Sequence, residues 1–457
     1  MVQRLALLAI MARLLVSPWP VVAQDALRVA TTHVTSDFPT SITFHVQANG
    51  GSDITKVEVR FSTEHSSCTR VESSGFPDFT PGNEVSAQWT WDVREGGSLP
   101  PGVVVRYRWI IEDRTGTVVE TPEQRYQVVD ERHRWRTTSS DLLNLHWYQG
   151  DAAFSAALLD AAEAALDQLE SFATVRPARP VDLFIYGSAQ ELRDAIVFPQ
   201  EWTGGVSFSG FSIVAIGISP TSLAWGQRAI SHELTHVVLD QITFNCFRDI
   251  PTWLNEGLAT YNESGTGQPQ PAYARELQDG IEAGELLSVP SLGGSFPTDA
   301  AAARLAYGES LSLVQYLSDT YGAGKLGELL DSFRSGTTAD VALEDVYGFD
   351  QRGLEEEWRS HIGAPPPPDT DSADAPALPA PIIPTFEPFT LTTPTPDVPG
   401  ATATATPTAP PQVSVVGCTG GLPPPERAGS RSGRSATLPL AYLLLAGLAL
   451  GIRRAKH

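Results

Sequence analysis

The chain has 457 residues, three cysteines, 38 glycines, 36 prolines and a formal net charge of −22. At 42% hydrophobic residues it can build cores for two or three domains, which excludes collagen, a coiled coil and a wholly disordered chain. The balance of 53 Asp and Glu against 31 Lys and Arg excludes nucleic acid as the default partner, because phosphate recognition needs clustered cations.

Residues 1–23 carry Arg4 and Arg13, an apolar run from Leu5 to Val16 and a small-residue exit at Val21-Val22-Ala23. That is the layout of a secretory signal peptide, and Pro18 and Pro20 argue against a buried helix there. The mature chain is expected to start near Gln24 and to be exported.

Residues 24–134 read as short period-two runs such as Ser41–Val46, Thr55–Phe61, Ala87–Asp92 and Val105–Ile110. Turn residues at Gly50-Gly51, Pro81-Gly82, Gly96-Gly97 and Thr115-Gly116 separate them, which predicts an all-β sandwich of immunoglobulin type. Nothing in the spacing of His33, His45 and His65 points to a metal, so they read as strand or surface histidines. Such a unit serves as a spacer or as a docking module for a cell-surface partner.

From residue 135 to 363 the pattern becomes α+β. Strands are expected at Leu143–Tyr148 and Val181–Tyr186, a helix capped by Asp151, a short helix at Ala189–Val197, and a long strand or hairpin at Val206–Ile218. A helix from about Leu223 to Gln241 then holds His232-Glu233-Leu234-Thr235-His236. Histidines at i and i+4 share one helix face, so both imidazoles reach a single zinc ion, with Glu233 on the adjoining edge. After Pro251, a second helix carrying Trp253-Leu254-Asn255-Glu256-Gly257-Leu258-Ala259 can turn Glu256 inward as a third ligand. Two His and one Glu with a position left open is a catalytic pattern; a structural zinc would be closed by protein, usually with Cys.

Half of the prolines fall between Pro365 and Pro425, so residues 364–434 are expected to be a disordered, extended Pro/Thr/Ala-rich stalk. Residues 435–452 hold no charge and, at ~1.5 Å per residue, span roughly 27 Å, enough for one transmembrane helix. Arg453, Arg454 and Lys456 make 453–457 a cytoplasmic tail, with the rest of the chain outside the membrane it is anchored to. Cys68, Cys246 and Cys418 lie in three different regions, so no necessary disulfide is expected and Cys246 reads as a small buried hydrophobe. The charge is concentrated: between Asp141 and His361, 31 acids face 11 Lys and Arg.

The two segments His232–His236 and Trp253–Ala259 resemble the gluzincin zinc metallopeptidases, specifically the bacterial peptidase MA-like domain, over roughly Leu143 to His361. The resemblance implies one zinc per chain on His232, His236 and Glu256, with Glu233 as the base that takes a proton from the attacking water and returns it to the leaving amine. It also implies a second donor for the developing oxyanion. Tyr307, in Ala306-Tyr307-Gly308-Glu309-Ser310, is the candidate, a core tyrosine being the other reading. A peptide or protein substrate would pair with the edge near Val206–Ile218. In many relatives a carboxylate stands four residues after the third ligand; here that position is Thr260, leaving Glu263 or Asp240 as substitutes. The resulting expectation is a membrane-anchored, extracytoplasmic zinc metallopeptidase. The competing one is a surface adhesion protein whose zinc domain is a non-catalytic scaffold, but a scaffold has no use for Glu233, which binds no metal.

Overall fold

The computed structural model describes residues 26–69, 71–199, 204–247, 249–264 and 269–368. The expected signal peptide, the stalk from residue 369, the anchor at 435–452 and the tail at 453–457 lie outside the described residues. No described helix is long and apolar enough to cross a membrane.

A β-rich region comes first, with strands β1 (Arg28–Asp37), β2 (Ser41–Thr63), β3 (Ser73–Gly75), β4 (Gly82–Asp92), β5 (Val104–Asp113), β6 (Val118–Glu120) and β7 (Gln124–Gln127). They form one hydrogen-bonded sheet because β2 is shared. Its first half pairs with β1 and β4, and after an irregularity around Gly50–Asp53 its second half pairs with β5 and β3. Alternation buries Ile42, Phe44, Val46 and Ala48 on one face and Val57, Val59 and Phe61 further along. His33 and His45 stack across the β1–β2 pair at 4.3 Å, while His65 lies elsewhere against Thr63 and Phe211, so the three histidines do not converge.

The second sheet has the order β11-β12-β10-β9-β8, from β8 (Arg136–Ser139), β9 (Leu143–Trp147), β10 (Val181–Tyr186), β11 (Gly205–Phe208) and β12 (Ile213–Gly217). β9, β10 and β12 run parallel, and β8 and β11 are antiparallel edges. Helix α1 (Ala152–Ala173) makes the β9–β10 crossover and α2 (Ala189–Arg193) follows β10. Of the long strand or hairpin expected at 206–218, the hairpin forms, its strands joined by a tight turn at Ser209–Phe211. The other helices are α3 (Leu223–Thr243), α4 (Thr252–Glu263), α5 (Pro271–Ala283), α6 (Val289–Leu292), α7 (Ala300–Tyr321), α8 (Ala323–Arg334), α9 (Ala339–Tyr347) and α10 (Gln351–His361).

The period of two sorts this sheet between two cores. Leu183, Ile185, Val214 and Ile216 join α1, α3, α4 and α7, whereas Phe184, Tyr186, Val206, Phe208, Ile213 and Ala215 join the core of the β-rich region. The β-rich region is therefore a third layer over the sheet. Where the chain passes between the layers, the fully buried Asp130 is held by Arg132 (Nε to Oδ1 2.7 Å, Nη2 to Oδ2 2.7 Å) and by the Tyr186 hydroxyl at 3.1 Å.

The cysteine expectation is corrected. Cys68 and Cys246 form a disulfide, and both lie at the surface, so Cys246 is not a buried hydrophobe. With the two 178 positions apart in sequence, no local pattern announces the bond.

Candidate active site

Helix α3 runs through the middle of the domain, and every residue from Ile230 to Leu239 is buried. Gly226 lets its start approach Ile218 closely, and α4 packs across it. In α4, Gly257 lies against the backbone of α7: a Cβ there would run into the carbonyl of Ser310. The residue beside the expected third ligand is thus what allows the two helices to close around it.

His232, His236 and Glu256 come together as expected, all buried, with ligand atoms within 4.8 Å of one another. Glu256 Oε2 stands 3.6 Å from His232 Nε2 and 3.7 Å from His236 Nε2. Those separations exceed hydrogen-bond length. They suit groups sharing one ion, since tetrahedral ligands about 2.1 Å from zinc stand roughly 3.4 Å apart. His232 Nε2 and Glu256 Oε2 are buried with no hydrogen-bond partner among the described residues, an expensive arrangement unless a cation completes it. The donor set fits zinc.

The electrostatics agree. Burial works against charge on His232, but the Glu256 and Glu263 carboxylates outweigh it and raise its pKa well above the ordinary value. For His236 burial prevails and lowers it. Burial also opposes ionisation of Glu256, yet His236, His232 and the Tyr307 hydroxyl hold its carboxyl below the usual range.

Residues 161–364 match the Peptidase MA superfamily. The helical half is a gluzincin-like Peptidase MA domain. No curated protein matches the sequence. Among solved structures the chain is similar to an aminopeptidase N family protein from Idiomarina loihiensis, at 10% identity over 71% of this chain and 72% of that one. The TM-score of 0.30 is too low for anything about that protein to carry over.

Within the Peptidase MA domain, of the two substitutes for the carboxylate missing at Thr260, Glu263 is the one that stands behind a histidine. Glu263, two turns beyond Glu256 on α4, places Oε2 3.6 Å from His232 Nδ1, and is itself held by the Gln270 side chain. Asn255 Oδ1 lies 2.9 Å from His236 Nδ1. Asn255 can thus fix the tautomer of His236 through a hydrogen bond, whereas Glu263 stands behind His232 beyond hydrogen-bond length and acts on it through its charge. Asp240 plays no such part: it faces Arg179 and Asp249, with burial raising its carboxyl to about 6. Sequence reasoning missed Asn255, whose signal was its place directly before Glu256.

Glu233, next to His232 on α3, is buried, and Gly205 at the start of β11 lies against its carboxylate. Tyr307, on α7, is buried and hydrogen-bonds Glu256. Its ring stacks on Tyr273 at 5.5 Å and meets Phe296 edge-on at 5.1 Å. It is a packed core tyrosine whose hydroxyl reaches Glu256.

Proposed function

We propose that this chain is a zinc-dependent metallopeptidase, exported and anchored in a membrane with its Peptidase MA domain outside the cytoplasm. The observation that carries the reading is the convergence of His232, His236 and Glu256 next to Glu233. One zinc per chain, held by those three side chains, would supply a Lewis acid that polarises the scissile carbonyl and acidifies water.

The chain's own groups do the rest. Glu233 takes a proton from water and delivers it to the departing amine, and its burial favours transfer over exchange with bulk solvent. The Tyr307 hydroxyl, which hydrogen-bonds Glu256, would turn from it to donate toward the carbonyl oxygen as charge develops there. Gly205 brings β11 close to Glu233; because Gly205–Phe208 are all buried, an extended peptide would pair with this strand only once the chain covering it moves aside. Export is supported by the Cys68–Cys246 disulfide, because such bonds persist in oxidising compartments. The anchor rests on the apolar stretch at 435–452 and the basic residues after it. We read the β-rich region as an immunoglobulin-like unit serving the peptidase as a structural layer.

The test combines metal content with cleavage. The purified protein should hold about one zinc per chain, lose it to chelators, and cut members of a broad peptide library. Glu233→Gln should keep the zinc and lose cleavage by at least about 100-fold. A protein that holds zinc but leaves the whole library uncut would favour a scaffold instead.

A further inference from the structure

The turn joining β11 to β12 is gripped from three directions. From the β-rich region, the Ser66 amide donates to the Gly210 carbonyl at 2.8 Å, and the His65 ring sits 5.6 Å from that of Phe211. From the segment before β10, Arg179 donates Nε to Ser212 Oγ at 2.6 Å and Nη2 to Ser66 Oγ at 2.7 Å. From α3, Gln241 donates Nε2 to Ser212 Oγ at 3.1 Å and accepts the amides of Ala178 and Arg179 at 2.8 and 3.1 Å. Just beyond Ser66, Cys68 is bonded to Cys246. Cys246 lies in the loop between α3 and α4, midway in sequence between His236 and Glu256.

We propose that residues 64–69 of the β-rich region are a positioning strap for the peptidase site, closed by the Cys68–Cys246 disulfide. The strap holds the β11–β12 hairpin against α3 and so sets the edge strand at the point where Gly205 meets Glu233. β11 is only four residues long and, among the described residues, pairs on one side only; Val206 and Phe208 seat it in the core, and the strap adds a hold on the turn at its end. The strap has no regular structure of its own. The disulfide keeps Ser66 beside Gly210 by raising its effective concentration there, which solvent-accessible hydrogen bonds alone do weakly.

Because both cysteines are exposed, the strap can be opened in the folded protein. A water-soluble phosphine gives two electrons to the S–S bond and leaves as its oxide with oxygen from water; each sulfur takes a proton and becomes a thiol. The strap itself does not depend on the proposed chemistry, but its consequence for substrate affinity does.

The experiment is hydrogen–deuterium exchange by mass spectrometry on the full exported chain in three forms: oxidised, phosphine-reduced, and Cys68→Ser/Cys246→Ser. Reduction should speed exchange in peptides covering 205–212 by about 10-fold or more, while peptides from β1, β2 and α1 stay unchanged and zinc is retained. The double variant should match the reduced protein and not respond to phosphine. Reduction of the folded wild type keeps the test available should the variant misfold. Unchanged exchange at 205–212, or faster exchange spread evenly over the domain, overturns the proposal. On a cleaved peptide, opening the strap should raise KM several-fold with kcat nearly constant. If exchange responds but no peptide is cut by any form, the strap stands and the peptidase reading fails.

Discussion

Gly205 lies directly against Glu233: a methyl group at position 205 would stand 2.8 Å from Glu233 Oε1 and 3.0 Å from its Cγ. The first residue of the edge strand therefore fixes how much room the proposed base has. Gly205→Ala should push the carboxylate aside without unfolding the chain. A displacement near 1 Å in an acid–base group costs about 100-fold, so cleavage should fall by 10- to 100-fold with zinc content and circular dichroism unchanged. Full turnover in this variant would mean that Glu233 is not the group that moves the proton.

Glu263 and His232 form the second testable pair. Glu263→Gln keeps the shape but removes the charge behind Nδ1. Loss of such a partner lowers metal affinity about 10- to 100-fold, measurable by competition with a chelating dye and without any substrate. Adding Thr260→Asp, which restores a carboxylate one turn nearer Glu256, should recover part of the loss. Wild-type zinc affinity in Glu263→Gln would show that His232 is held by packing alone.

Glu309 supplies a pH dependence away from the metal ligands. It is fully buried on α7 and accepts the Leu287 amide at 3.0 Å. Nearby, Glu355 accepts the Val289 amide at 3.0 Å and pairs with Arg359 at 2.8 Å. Burial pushes the Glu309 carboxyl up to about 8, with the Leu287 amide and Arg359 opposing and Glu355 adding. Folded Glu309 thus keeps its proton to a higher pH than the unfolded chain does. Its contribution is complete below about pH 4.5 and declines as pH rises toward 8, by on the order of a few kcal/mol at most. The melting temperature of the wild type should fall over that range relative to Glu309→Gln. Parallel curves would refute the assignment.

The shared sheet predicts the outcome of dissection. A fragment of residues 135–368 would expose Phe184, Tyr186, Val206, Phe208 and Ile213, which now pack under the β-rich region. At about 1.5–3 kcal/mol per large side chain, the loss is on the order of 10 kcal/mol, comparable to the whole stability of a domain. The fragment should aggregate or bind the dye ANS, and should not unfold cooperatively. A monomeric fragment with a sharp melting transition would show that the third layer is dispensable.

Much of this was legible in the sequence, for local reasons. The i, i+4 histidines of α3 and Glu256 amid apolar neighbours in α4 carry the site in short segments, and the period of two in β2 and β5 carries the β-rich region. What escaped is what joins distant residues. The Cys68–Cys246 bond, and which of Glu263 and Asp240 stands behind a histidine, depend on how layers and helices stack, which residue spacing does not encode. The shared sheet did leave a trace: β12 is apolar at every position from Ile213 to Gly217, the mark of a strand covered on both faces.

That double covering bears on how the molecule comes into being. Synthesis runs from the N-terminus, so the β-rich half is complete before β10, β11 and β12 leave the ribosome. Phe44, Trp109 and Ile111 can already be packed when Phe184 and Phe208 arrive, and the later strands then condense on a prepared apolar floor. The first hundred residues would act for the remainder as a built-in template, and a lesion in β5 would surface as a peptidase domain that fails to mature.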